Sequence, residues 1–180
     1  VIAGRGGDGL VSFRRERFIA KGGPDGGDGG DGGDIFLMVD QSTRSLSDLA
    51  RVKEFRAENG QGGGKNRRKG KSGQPLYLKV PLGTDIYEVG ERAVLIKELV
   101  KRDDMIMIAK GGKGGWGNSH FATATRQAPL LALKGRPGQC KKLKLELKML
   151  ADVGIIGLPN VGKSLLLSKI SQAKPKIADY

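Results

Sequence analysis

The chain has 180 residues, with 32 lysines and arginines against 19 aspartates and glutamates for a formal net charge of +13; apolar residues make up 38% and aromatics 5%. That is room for one complete domain with a small core plus a piece of a second, and no apolar run approaches the roughly 18 residues of a membrane helix. A lone cysteine, Cys140, excludes an internal disulfide and a Cys-x-x-Cys metal site and suits a reducing compartment, while the charge favours a polyanionic partner, RNA first, over a merely soluble basic protein.

Charge and glycine are both unevenly spread. Residues 152–180 contribute +2 and residues 1–151 the remaining +11. Of the 30 glycines, 23 fall within residues 4–9, 22–33, 60–73 and 111–117. Residues 4–9 and 112–117 match G-x-G-x-x-G, but neither run opens a helix, and so weak a pattern carries little in a glycine-rich chain. Arg14, Arg15, Arg17 and Lys21 form a basic patch in which Arg14 and Arg15 are expected to contact an RNA backbone, with plain solvated charge as the alternative. Residues 22–33 then repeat with period three, the period of polyproline II rather than of helix or strand. In that conformation Asp25, Asp28, Asp31 and Asp34 share one edge, expected to repel phosphate. The other two edges are bare backbone, so several such arms could lie side by side at Cα–H···O distance. Collagen fails for want of proline, and a calcium-binding repeat fails on period. A disordered linker is the rival reading, because ordering glycine is costly in entropy. Four clusters in one chain favour arms that order one another.

Strand signals lie between the clusters. Ile35–Val39 is a compact apolar run bracketed by Asp34 and Asp40. Residues 47–58 have room for a short helix. Residues 65–71 carry Lys65, Arg67, Arg68, Lys69 and Lys71 among glycines, which predicts an extended, accessible loop able to follow an RNA backbone, with a plain solvated charge run as the alternative. Leu76–Val80 alternates apolar and polar residues, and residues 85–89, 94–99 and Met105–Ala109 follow at the spacing of a β meander. His120, the single histidine, sits in a Gly/Ser/Thr/Ala-rich loop and reads as a local hydrogen-bonding residue rather than a metal ligand or base. Leu143, Leu145 and Leu147 alternate with charged residues as a half-buried strand. Residues 1–151 therefore predict a mainly β domain, a small barrel or sandwich from which glycine arms project.

The last stretch has a different character. Residues 152–156 read as a short buried strand, and Leu165, Leu166, Leu167 and Ile170 have the spacing of a helix. Between them Gly157-Leu158-Pro159-Asn160-Val161-Gly162-Lys163-Ser164 fits G-x-x-x-x-G-K-[ST] at every fixed position. The glycines let backbone N–H groups turn inward on a phosphate, Lys163 reaches the terminal phosphates, and the Ser164 hydroxyl suits Mg²⁺. Residues 152–180 thus predict the opening strand, loop and helix of an α/β P-loop domain. The 29 residues after Ala151 are too few for such a domain, and the chain opens on Val1, so both ends are expected to be trimmed. No catalytic residue is expected within it, and the chain by itself is expected not to turn nucleotide over.

Several runs together resemble the Obg family of GTPases. They are residues 11–18 (VSFRRERF) followed by 21–30 (KGGPDGGDGG), 79–84 (KVPLGT), 110–118 (KGGKGGWGN), 121–123 with 127–129, and 145–154 into the phosphate loop. The resemblance covers nearly the whole chain. It implies a small β-barrel bearing polyproline-II arms, joined to a Ras-like GTP-binding domain. It implies work on the large ribosomal subunit during assembly, with the arms reaching ribosomal RNA near the peptidyl-transferase region. The expected ligands are the guanine nucleotides GTP, GDP and the alarmone ppGpp. It also implies Mg²⁺ at Ser164, a K⁺ that Asn160 helps to coordinate, slow GTP hydrolysis by the full-length protein, and a cytoplasmic monomer, with an organellar address upstream of Val1 left open. A non-catalytic ribosome- or RNA-binding module and a P-loop ATPase are the alternatives. Two departures stand out. Arg136, Lys141 and Lys142 replace acidic residues usual before the last barrel strand, and Leu165 replaces a frequent Thr.

Overall fold

The computed structural model describes residues 1–14 and 22–148, together with Ile156, Leu166 and Lys169. The chain divides into two compact units, Val1–Lys148 and Met149–Tyr180. In the second, Leu166 and Lys169 are helical; the phosphate loop from Gly157 to Ser164 lies outside the described residues, as do Arg15, Arg17 and Lys21.

The described residues of the first unit hold six strands: β1 (Ile35–Val39), β2 (Leu76–Val80), β3 (Thr84–Val89), β4 (Ala93–Leu99), β5 (Met105–Ala109) and β6 (Leu143–Leu147). They form two three-stranded sheets, ordered β2-β1-β5 and β4-β3-β6. The expected mainly β architecture holds. The meander does not: β3 and β4 form a hairpin, but β5 leaves it to pair antiparallel with β1, and β2 lies parallel to β1 in register Ile35↔Leu76 through Val39↔Val80. Parallel neighbours need a long crossover. Residues 40–75 supply it, and much of that crossover is glycine arm.

Burial follows the strand period. Ile35, Leu37 and Val39 face inward, while Phe36 faces out and stacks on Tyr77 across the β1–β2 pair at 5.3 Å. Leu78, Val80, Ile86, Leu99, Ile108 and Ala109 complete the core. At the turn into β3, Gly83 takes a left-handed φ of 79° and Thr84 donates its hydroxyl to the Pro81 carbonyl at 2.6 Å. Asp85, almost wholly buried on β3, receives Lys148 at 2.8 Å, and Glu98 on β4 receives the same ammonium at 2.9 Å. Those two carboxylates, Asp85 first, push the Lys148 ammonium well above the ordinary lysine range. The helix expected within residues 47–58 shrinks to one turn, α1 (Ser47–Ala50), because residues from 57 onward belong to a glycine arm.

Candidate nucleic-acid interface

Six extended arms project from the sheets. The four glycine clusters supply arm 1 (residues 2–10), arm 2 (25–34), arm 3 (57–64), arm 4 (67–73) and arm 5 (110–118). A sixth, residues 133–139, carries only Gly135 and Gly138 and gave no cluster to see. Polyproline II has no internal hydrogen bonds, so each arm must find partners for its amides elsewhere. Here the amides bond between arms every third residue. Gly4, Gly7 and Leu10 of arm 1 donate to Gly33, Gly30 and Gly27 of arm 2. Gly27, Gly30 and Gly33 in turn donate to Gly64, Gln61 and Glu58 of arm 3, all between 2.8 and 3.0 Å. The expected side-by-side packing is present, but N–H···O bonds hold it together rather than Cα–H···O contacts alone.

Glycine is required where arms meet this closely. A Cβ on Gly29 would lie 1.9 Å from the Gly7 carbonyl oxygen. The two G-x-G-x-x-G runs are parts of arms 1 and 5, and their amides are already spent on neighbours. Gly112 and Gly115 donate to Gly4 and Gly7, while Gly114 and Gly117 donate to carboxylates. The second run does enter one turn of 3₁₀ helix, Asn118–Phe121.

The aspartate edge faces inward on arm 5. Asp34, Asp31 and Asp28 each accept an amide, from Gly111, Gly114 and Gly117, at 2.7 to 2.9 Å. The second oxygen of Asp28 meets His120 Nε2 at 2.8 Å, so His120 is the local hydrogen-bonding residue its surroundings suggested. The second oxygen of Asp31 meets Lys69 at 2.9 Å. The Gly114 amide and then Lys69 hold the Asp31 carboxyl below the usual range.

At the ends of the arms farthest from the sheets, residues 64–68 form a tight turn rather than the extended loop expected. The Gly64 amide donates to the Arg68 carbonyl at 2.8 Å, and Asn66 and Arg67 are left-handed, with φ of 57° and 55°. Asp25 pins this turn: its carbonyl accepts the Arg67 amide at 2.7 Å and its Oδ2 accepts the Asn66 amide at 3.3 Å. Its Oδ1 is buried without a hydrogen-bond partner. Lys65, Arg67, Arg68, Lys69 and Lys71 are all exposed, as is Arg14. Lys69 is held by Asp31, whereas the side chains of Lys65, Arg67, Arg68 and Lys71 have no ion pair among the described residues.

Three residues of this end escaped the sequence reading. Asn118 is completely buried; its Oδ1 accepts the Gly26 amide at 2.9 Å, and its Nδ2 donates to Ser12 at 3.0 Å and to Pro129 at 3.2 Å. It ties arms 2 and 5 to the segments on either side. Ser119 donates to the Gly26 carbonyl at 2.7 Å. Trp116, half exposed, stacks on His120 with ring centres 5.4 Å apart. A single tryptophan among glycines was the available signal for the last of these.

No helix among the described residues is long and apolar enough to cross a membrane, and no group of three or more metal-ligating side chains occurs among them. The family model described as GTP1/OBG matches residues 1–149, and the one described as 50S ribosome-binding GTPase matches residues 152–180. Curated relatives named GTPase Obg align over the whole chain: 52% identical in Clostridium novyi, 55% in Desulforapulum autotrophicum and 50% in Persephonella marina. The chain spans 42%, 52% and 53% of those relatives, respectively. A lattice of glycine arms on two small sheets, matched across residues 1–149 and running into a phosphate-loop segment, places this chain in the GTP1/OBG family.

Proposed function

We propose that the whole protein binds GTP with Mg²⁺, hydrolyses it slowly, and acts in assembly of the large ribosomal subunit, its glycine-arm unit docking on ribosomal RNA. One observation carries this reading: the GTP1/OBG match over residues 1–149 leads directly into a match, over residues 152–180, to a family described as 50S ribosome-binding GTPase. The relatives' name supports GTP as the substrate. The exposed, unpaired cations Lys65, Arg67, Arg68 and Lys71 support an RNA-facing arm end, because each neutralised phosphate releases counterions. In the phosphate loop, the residues from Gly157 to Gly162 would cradle phosphates and Lys163 would offset their charge. The Ser164 hydroxyl is a hard oxygen donor of the kind Mg²⁺ takes, and Asn160 would help to hold K⁺. GDP and ppGpp would compete for the same site and link subunit binding to nutrient stress. The protein would work in the cytoplasm as a monomer.

The test is co-sedimentation of the full-length protein with large ribosomal subunits, across a salt series, with a non-hydrolysable GTP analogue, GDP, the ATP counterpart, or no nucleotide. Retention with the GTP analogue that weakens steeply with salt is expected. Equal retention under every nucleotide points to a non-catalytic module, preference for the ATP analogue points to an ATPase, and no retention under any condition overturns the ribosomal role.

A further inference from the structure

Arg67 occupies a costly position. Among the described residues, Asn66 and Arg67 are the only non-glycine residues with positive φ. Asparagine tolerates that region through its short polar side chain, whereas arginine enters it only against steric resistance. The chain uses 30 glycines, many of them in this same lattice, yet glycine does not stand at position 67. Nor does the side chain serve an internal ion pair, since its guanidinium has no partner among the described residues. Strain retained with an unpaired side chain points to a role outside the molecule.

The surroundings of Arg67 suit one kind of ligand. The residue lines two open cavities. One, of about 310 Å³, is shared with Gly27, Asp28, Ser119 and His120; the other, of about 590 Å³, is shared with Arg14, Pro24, Asp25 and Asn66. Across the first cavity, His120 is fixed by Asp28 at 2.8 Å and braces one face of Trp116, with ring planes 24° apart. The indole remains 54% exposed. An exposed indole stacked on the imidazole that shares a cavity with Arg67 offers the two contacts that single-stranded nucleic acid uses, a ring for the base and a cation for the phosphate.

We infer that Trp116, His120 and Arg67 form a seat for one unpaired RNA nucleotide, the base stacking on Trp116 and the phosphate meeting Arg67. This rests on the RNA-docking reading above and specifies how that docking selects its target: unpaired nucleotides over duplex. Charge favours RNA over an apolar protein segment, because Lys65 and Arg68 on the same turn and Lys71 on arm 4 extend the cationic surface. Asp25 acts as a positioning residue, holding the turn through Arg67 and Asn66.

The experiment is equilibrium binding of the full chain to a fluorescein-labelled eight-nucleotide single-stranded RNA and to a duplex of the same sequence, between about 50 and 200 mM salt. Trp116→Ala should weaken the single strand by about fivefold or more, the low end for one stacked base, with the salt slope unchanged and duplex binding unaffected. Arg67→Gly, which relieves the backbone strain and should keep or raise the melting temperature, should lower the slope by about 0.7, one phosphate on a single strand. Trp116→Phe should retain most of the affinity, since a smaller aromatic face remains. Unchanged single-strand affinity in Trp116→Ala, or an unchanged slope in Arg67→Gly, overturns the seat. So does displacement of the single strand by poly-glutamate as efficiently as by unlabelled RNA. Failure here alongside salt-sensitive retention on large subunits sinks the seat alone, whereas loss of retention sinks the docking reading beneath it.

Discussion

Replacing Gly29 by alanine should break the arm lattice from inside. The new Cβ would sit 1.9 Å from the Gly7 carbonyl oxygen and 2.3 Å from its carbon, both backbone atoms that cannot rotate away. Ordinary contact begins near 3.4 Å, so arms 1 and 2 must part by roughly 1.5 Å. Three bonds meet at this crossing: Gly7 to Gly30 at 2.8 Å, Gly115 to Gly7 at 2.9 Å, and Gly29 to Gly115 at 2.8 Å. A bond stretched by that amount passes beyond hydrogen-bonding range, and because arm 5 can follow only one of the two parting arms, one of its bonds is lost along with that from Gly7 to Gly30. Leaving two of the three unmade costs about 2–6 kcal/mol, at ~1–3 kcal/mol for each buried orphan. The smaller entropy of the unfolded alanine chain returns at most ~1 kcal/mol. Against a typical total of about 5–15 kcal/mol, the loss is a large fraction. Gly23→Ala is the control, because no atom of the described residues lies within 4 Å of its added Cβ. Urea unfolding followed by the emission of Trp116, the chain's single tryptophan, should show the Gly29→Ala midpoint lower by about 1 M or more and that of Gly23→Ala unmoved. Equal midpoints for the two variants would refute the close-packed lattice.

Asn118→Ala should cost about 2–4 kcal/mol in the same assay, because it strands the Gly26 amide and the Pro129 carbonyl and leaves Ser12 only the Asp25 amide; a change under about 0.5 kcal/mol would count against its role as a tie between segments. Lys79, then the Ser42 amide and hydroxyl, lower the Asp40 pKa to about 2. Since this folded value lies below the unfolded one, the contribution of Asp40 is fully present above about pH 4 and is lost as pH falls towards 2. The fall in urea midpoint over that window should be shallower in Asp40→Asn, and identical profiles would refute the linkage. Asp31→Asn keeps an oxygen for the Gly114 amide and should be tolerated within about 1 kcal/mol, whereas Asp31→Ala should cost ~1–3 kcal/mol; equal losses would argue for charge rather than acceptor geometry. In the full-length protein, Lys163→Ala should remove most GTP affinity in an equilibrium titration, and near-normal binding would remove Lys163 from the phosphate site.

Strands were legible because their signals are local. Ile35–Val39, Leu76–Val80 and Met105–Ala109 stand in the fold at the boundaries their apolar runs suggested, and Leu143, Leu145 and Leu147 are half-buried as their alternation implied. Pairing was not legible, since nothing in residues 105–109 says that they bond to β1 rather than to β4. The arms announced themselves through glycine period three, but the sixth did not. Arm 6 abuts neighbours on fewer sides, so only Gly135 and Gly138 need to lack a side chain, and two glycines form no cluster. The turn at Asn66 and Arg67 was hidden for a related reason: flanking glycines suggested an extended loop, while the kink falls on two of the five non-glycine residues between Gly64 and Gly70.

The inward aspartates invert the electrostatic picture that the sequence suggests. Arm 2 bonds to four neighbouring arms, and its carbonyls are in demand. Those of Gly27, Gly30 and Gly33 accept amides from arm 1, while those of Asp28, Asp31 and Asp34 accept amides from Gly70, Gly73 and Leu76. Arm 5 presents three further amides, on Gly111, Gly114 and Gly117, and these turn to side chains of arm 2 rather than to its carbonyls. The Asp34, Asp31 and Asp28 carboxylates accept them, one at every third residue, so the period of the aspartates matches the period at which arm 5 turns an amide towards arm 2. An amide occupies one oxygen of each carboxylate, Lys69 and His120 meet the other oxygen of Asp31 and Asp28, and the acidic edge no longer presents a bare row of charge to phosphate. The lattice thus absorbs its acidic residues as structural acceptors and leaves Lys65, Arg67, Arg68 and Lys71 at the exposed turn. The +11 on residues 1–151 is felt most by a polyanion that approaches from that end.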